Sequence, residues 1–165
     1  MALVVETKDI KIYQGEAKDW LGFEPIDLVF TNPYGPLPRS LYGHPMVIHQ
    51  WVHRRKEAEE WTGNKLTHHI GIWNRNKEAF WSANILPKDR HFVDIGEFVP
   101  EQPGWYPEAM VRRLLKMYGR DGWTIWDGFM GRGTVGKVAV ELGMKYVGIE
   151  RLSSHITIAR EYLNV

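Results

Sequence analysis

The chain has 165 residues, a formal net charge of +1, 44% hydrophobic residues and no cysteine. That length suits one domain with a real core, and the composition excludes a disordered chain; with no long apolar run, it also excludes a membrane span. Lack of cysteine excludes disulfides, a thiolate nucleophile and a Cys-type zinc site, while the near-neutral charge leaves only local patches for phosphate contact. The elements follow in chain order. Residues 9–14 read as a strand, 16–21 as a short helix and 26–31 as a buried strand running into a turn. Residues 46–61 read as a helix with a basic and then an acidic face, 66–73 as a strand and 90–99 as an alternating strand. A helix opened by proline covers 107–118, a β-prone segment 122–126, a helix 135–142, a buried strand 144–150 and a last helix 153–162. The alternation of strands and helices implies an α/β fold with a mostly parallel sheet and helices on both faces.

Two segments carry chemistry. In the first, Trp126-Asp127-Gly128-Phe129-Met130-Gly131-Arg132-Gly133-Thr134 joins a strand to a helix. A Gly-rich turn in that setting is the mark of a nucleotide-type cofactor loop. Gly131 and Gly133 allow a sharp turn and close backbone approach to a ligand. The helix opening near Thr134 offers unpaired N–H groups to an anion such as a carboxylate. The next strand ends in Glu150, placed to accept hydrogen bonds from ribose hydroxyls.

In the second, Pro25-Ile26-Asp27-Leu28-Val29-Phe30-Thr31-Asn32-Pro33-Tyr34-Gly35 runs from a buried strand into a proline turn. Ligands of open α/β sheets bind at the carboxyl ends of strands, so Asn32 and Tyr34 are expected over the crevice.

Together these segments resemble the S-adenosylmethionine-binding and catalytic motifs of DNA amino-methyltransferases. That family usually reads Asp-Pro-Phe-x-Gly-Ser-Gly-Thr at the cofactor loop; here Gly128 replaces the proline and Arg132 the serine. Its Asp/Asn/Ser-Pro-Pro-Tyr motif has lost one proline here. Counting from Asp27 puts Asn32 in the acid/amide position, whereas counting back from Tyr34 puts Thr31 there. Asn32 is preferred because its amide oxygen accepts a hydrogen bond from an exocyclic amine better than Thr31 does.

The resemblance implies a Rossmann-like methyltransferase fold in circularly permuted motif order, with the Asn-Pro-Tyr turn before the cofactor loop. It implies S-adenosylmethionine as cofactor, bound by Asp127, Phe129, Gly131, Gly133 and Thr134, with Glu150 on the ribose. Glu16 takes the place of the family's acid near the adenine amine; as a residue alone it equally suits a solvated helix start. The segment 105–111, Trp-Tyr-Pro-Glu-Ala-Met-Val, resembles the Lys-Pro helix that closes over the methionine moiety, without the usual lysine. Asn32, Pro33 and Tyr34 are the implied catalytic residues.

The middle of the chain is less informative. His44, His49, His53, His68 and His69 lack His-Glu-x-x-His spacing, so no metal is expected. The run His53-Arg54-Arg55-Lys56 reads first as a solvated helix face; as a functional site, Arg54, Arg55 and Lys56 would contact phosphates. The resulting expectation is a single methyltransferase domain over 1–165 with little or no separate target-recognition domain. It would be cytoplasmic, act on the exocyclic amine of adenine (N6) in double-stranded DNA, and prefer cytosine (N4) less. Recognition would be relaxed, or be supplied by a homodimer or a second specificity subunit, with no membrane partner. The rivals are an RNA or protein-glutamine acceptor, and a non-catalytic cofactor- or DNA-binding subunit.

Overall fold

The computed structural model describes residues 1–51, 55–65, 68–71, 79–86 and 106–165. Among these, the strands in chain order are β1 (Ala2–Glu6), β2 (Ile10–Gln14), β3 (Leu28–Thr31), β4 (Met46–Trp51), β5 (His68–Gly71), β6 (Ala79–Ala83), β7 (Thr124–Asp127) and β8 (Lys145–Glu150). The helices are α1 (Arg55–Thr62), α2 (Glu108–Tyr118), α3 (Thr134–Glu141) and α4 (Ser153–Leu163). All eight strands join one sheet in the order β1-β2-β8-β7-β3-β4-β6-β5. From β2 through β8, β7 and β3 to β4 every pairing is parallel. The outer pairings, β1 with β2 and β6 with β4 and β5, are antiparallel. The fold is the Rossmann-like α/β arrangement expected.

Strand alternation sorts the core into two faces. Ile12, Leu28, Phe30, Ile125 and Tyr146 point toward α2, α3 and α4, where they meet Met110, Leu114, Val135, Val138 and Ala159. Tyr13, Val29, Trp126, Val147 and Ile149 point the other way and are covered by Ala17, Leu41 and Ala58 of α1. Helix α2 buries Met110, Val111, Leu114, Leu115 and Tyr118, a stripe at helical spacing, and Pro107 precedes its first turn. The central strands β3, β7 and β8 are buried at nearly every position, because both of their faces are covered.

That rule overturns one expectation. Residues 46–61 are not one helix: Met46–Trp51 is β4, and the helix begins at Arg55. Met46, Val47 and Ile48 are all fully buried, so the apolar run belongs to a strand covered on both faces. The expected helix at 16–21 shrinks to a 3-10 turn over Ala17–Asp19. Trp20 leaves it in extended conformation and packs edge-on against Tyr13, ring centroids 5.1 Å apart. Strands β1 and β6 were not foreseen. The strand expected at 90–99 lies outside the described residues.

The C-terminal pair β7–β8 is inserted between β2 and β3, and this is how the permuted motif order becomes compact. Asp27 sets the register where β3 joins β7: its N–H donates to the Thr124 carbonyl at 3.0 Å, and its carboxylate accepts from Thr124 N–H at 2.8 Å. Because β2, β8, β7 and β3 run parallel, their carboxyl ends open at one edge of the sheet.

Candidate active site

A cleft of about 670 Å³ lies along that edge. Each of the four central strands delivers a residue to it: Glu16 after β2, Glu150 at the end of β8, Asp127 at the end of β7 and Asn32 after β3. Phe129, Gly131, Thr134 and Tyr34 also line it. Pro33 and Gly133 do not: Pro33 is buried behind the turn, and Gly133 caps α3 in the left-handed region with φ 84°.

Asp127 is the most constrained of these groups. It is 3% exposed. Its Oδ1 accepts from the Thr31 hydroxyl at 2.7 Å and from Phe129 N–H at 3.2 Å, and its Oδ2 accepts from the Tyr146 hydroxyl at 3.2 Å. The Tyr146 ring reaches this position because Gly136 of α3 carries no side chain; a Cβ there would stand 2.6 Å from the ring. Thr31 is therefore tied to Asp127 and fully buried, while Asn32 is half-buried and lines the cleft.

Burial raises the Asp127 carboxyl from 3.8 to about 6, against the pull of its three hydrogen bonds. A carboxyl whose pKa is raised on folding stabilises the fold below its unfolded value, and that stability is lost as pH rises through the folded value. The window here runs from about pH 4 to above pH 6 and is worth about 3 kcal/mol. Asp127→Asn should remove this slope, so that its melting temperature relative to wild type rises between pH 4 and pH 8. Parallel stability profiles for the two proteins would contradict the assignment.

Glu150 is held differently. Its Oε2 accepts from Gly131 N–H at 3.1 Å and its Oε1 from Leu152 N–H at 2.9 Å, and His155 Nδ1 lies 3.6 Å from Oε2. A carboxylate offers about four lone-pair sites, so it still has capacity for a pair of ligand hydroxyls. The backbone bonds fix its orientation and couple it to the Gly-rich turn. Gly131 has φ 55°, and a Cβ added there would meet nothing within 4 Å.

Arg132, in place of the family's serine, lines the cleft. Its Nε donates to Thr134 Oγ1 at 3.0 Å, and its guanidinium lies 4.6 Å from the Tyr162 ring centroid. The Tyr162 hydroxyl donates to Glu108, which also pairs with Lys137 at 2.6 Å. These contacts tie α2, α3 and α4 together behind the loop, and the two donors hold the Glu108 carboxyl below its usual range. At the mouth, exposed Glu16 faces Arg151 at 3.8 Å, a pair weak in water.

Of the basic run, Arg54 and the Arg55 side chain lie outside the described residues; Lys56 is exposed on α1 and does not line the cleft. The segment flagged at 105–111 reaches the cleft through Tyr106, whereas the sequence did not single out His155 and Ile158, which also line it, or Thr31 and Tyr146 as the partners of Asp127. For Tyr146 a signal existed in Gly136 and Gly148, whose missing side chains make room for its ring.

Residues 12–161 match the N6/N4 DNA methylase family. The chain belongs to that family. The chain is 25% identical over 153 residues to the type II methyltransferase M2.DpnII of Streptococcus pneumoniae, covering 90% of this chain and 54% of that protein. It is 24% identical over 154 residues to M2.LlaDCHI of Lactococcus lactis subsp. cremoris, covering 91% and 55%. The chain thus spans about half the length of these curated relatives. Its fold superposes on the M1.HpyAVI–SAM complex with a TM-score of 0.69 at 17% identity, covering 94% of this chain and 100% of that one. Among the described residues no helix is long and apolar enough to cross a membrane.

Proposed function

We propose that this protein is an S-adenosylmethionine-dependent methyltransferase acting on the exocyclic amine of adenine, N6, in double-stranded DNA. The observation that carries the proposal is the juxtaposition, in one cleft, of the Gly-rich loop, Asp127 and Glu150 with Asn32 and Tyr34. The residues suit the cofactor: Glu150 has free acceptor capacity for a ribose, Gly131 leaves open space for close backbone approach, and the first turn of α3 faces the cleft at Thr134. When bound, S-adenosylmethionine supplies a methyl group on a positively charged sulfur.

The chain's own residues have the harder task at the acceptor. An exocyclic amine is a poor nucleophile because its lone pair is delocalised into the ring. Asn32 Oδ1 and the backbone carbonyl near Pro33 would accept the two amine hydrogens and favour a pyramidal nitrogen. On accepting a methyl group the amine would give up one proton, released to solvent. Tyr34 is 62% exposed, with its ring edge-to-face with Phe129 at 6.1 Å. It is available to stack on a base flipped out of the duplex. Holding both reactants in one cleft supplies much of the acceleration.

Most of the described residues of 36–86 form β4, β5 and β6 of the sheet and the helix α1. We infer relaxed sequence recognition by this chain, or recognition shared with a second copy or a separate subunit, with Arg54, Arg55 and Lys56 giving phosphate affinity. Labelled methyl groups transferred to duplex DNA should be recovered, after digestion to nucleosides, as N6-methyldeoxyadenosine. Recovery as N4-methyldeoxycytidine would overturn the choice of base.

A further inference from the structure

Tyr106 stands immediately before the proline that opens α2, where the resemblance places a lysine. Its ring is fixed by neighbours: the His49 ring is edge-on at 5.3 Å and the Trp81 ring lies at 5.3 Å. Trp81 is itself fully buried against Phe30, 4.7 Å away. Burial pushes His49 down to about 4, so its ring is neutral at neutral pH. The Tyr106 side chain reaches the cleft, but its hydroxyl oxygen is shielded from solvent and makes no well-formed hydrogen bond among the described residues. It nevertheless lies close enough to the Asn32 amide, Tyr34 and Asp127 for each to influence its ionisation. A buried hydroxyl left unpaired is costly, so such a group in a ligand cleft points to a partner it meets during function.

Asn32 supplies the complementary observation. Its Nδ2 donates to the Tyr34 hydroxyl at 2.9 Å. A side-chain amide nitrogen has two hydrogens, and one is thus engaged. We propose that Tyr106 is a positioning residue for methyl transfer: its hydroxyl accepts the second Asn32 N–H when the acceptor docks, so that both amide hydrogens are held by tyrosines and Oδ1 alone faces the acceptor amine. The two ends of an asparagine amide are nearly the same size, and a flipped amide would present hydrogens to an amine that needs an acceptor. The Tyr34–Asn32–Tyr106 arrangement removes that wrong orientation. It also offers a reason for a tyrosine here, since a lysine ammonium has donors but no acceptor for the amide N–H.

This inference rests on the proposed methyltransferase activity. Tyr106→Phe keeps the ring and deletes only the hydroxyl. In single-turnover transfer to duplex DNA, the variant should be slowed by about tenfold or more, the loss expected for one hydrogen bond to a reacting group. Its S-adenosylmethionine Kd should stay unchanged and its melting temperature should not fall, because the deleted hydroxyl makes no well-formed hydrogen bond among the described residues. Full-rate transfer by Tyr106→Phe would overturn the inference and leave the activity intact. Slowing that comes with weaker cofactor binding would overturn it by moving the hydroxyl to the donor side. A fall in melting temperature would overturn it by making the hydroxyl structural. Wild-type protein that transfers methyl to no DNA would overturn the proposed activity and this role together.

Discussion

Asn32→Ala should lower the rate of methyl transfer to DNA by about 10²–10³-fold, the scale seen when a positioned hydrogen-bonding group is deleted from an active site. Tyr34→Ala should greatly slow transfer as well. Cofactor affinity should be nearly unchanged in both, because Asn32 and Tyr34 follow β3 and are proposed to meet the acceptor, while Glu150 ends β8, two strands away. The split follows from what each group does. Asn32 interacts with a nitrogen whose geometry changes during reaction, so its loss falls on the chemical step. Thr31→Ala separates the two possible registers of the turn. Thr31 donates to buried Asp127, so its loss should reduce stability by about 1–2 kcal/mol and affect transfer less than Asn32→Ala does. Single-turnover kinetics with calorimetry for the cofactor measures both sides. Full activity in Asn32→Ala and Tyr34→Ala would assign the turn a structural role.

The second large effect lies at the Gly-rich loop. Gly131→Val should abolish S-adenosylmethionine binding. With φ 55° at Gly131, a β-branched side chain is held in a conformation it strongly disfavours. Any side chain accommodated there extends into open cleft, since no protein atom lies within 4 Å of the added Cβ. The Gly131 N–H is also one of the two backbone donors that orient Glu150, so strain at this turn reaches the carboxylate proposed for the ribose. Glu150→Ala should weaken binding by about 1–3 kcal/mol, a smaller loss because it removes one polar group and leaves the turn in place. Titration calorimetry ranks the two variants. Wild-type-like affinity in Gly131→Val would place the cofactor elsewhere.

Much of the parallel core was legible because both of its signals are local. The runs Leu28–Thr31 and Lys145–Glu150 are short and apolar and end in turns, and Trp126–Thr134 joins a strand to a helix through glycines. The same kind of run misled at Met46–Trp51, where three consecutive buried residues fit a helix as well as a strand when period is the only guide. Strand β1 escaped although Ala2-Leu3-Val4-Val5 is apolar, because the run is short and its positions on an edge strand are mostly exposed, with no polar alternation to mark a strand. In the cleft, the chain carries Asn32, Asp127 and Glu150 where strand ends imply. The hydrogen bond from Thr31 to Asp127 spans 96 positions and depends on β7 being inserted beside β3. No local pattern encodes that neighbour relation. The role proposed for Tyr106 escaped for the same reason: it rests on a hydroxyl with no well-formed hydrogen bond among the described residues, close to Asn32, which only the tertiary arrangement creates.

The central claim is that this cleft moves a methyl group from S-adenosylmethionine to a DNA base. The most direct test supplies methyl-labelled S-adenosylmethionine to the purified chain in parallel with duplex DNA, RNA and protein, with Asn32→Ala as the control for each. Label should enter duplex DNA, on adenine, and should be lost in the control. Label in RNA or protein alone, or cofactor binding with no transfer to any acceptor, would contradict it.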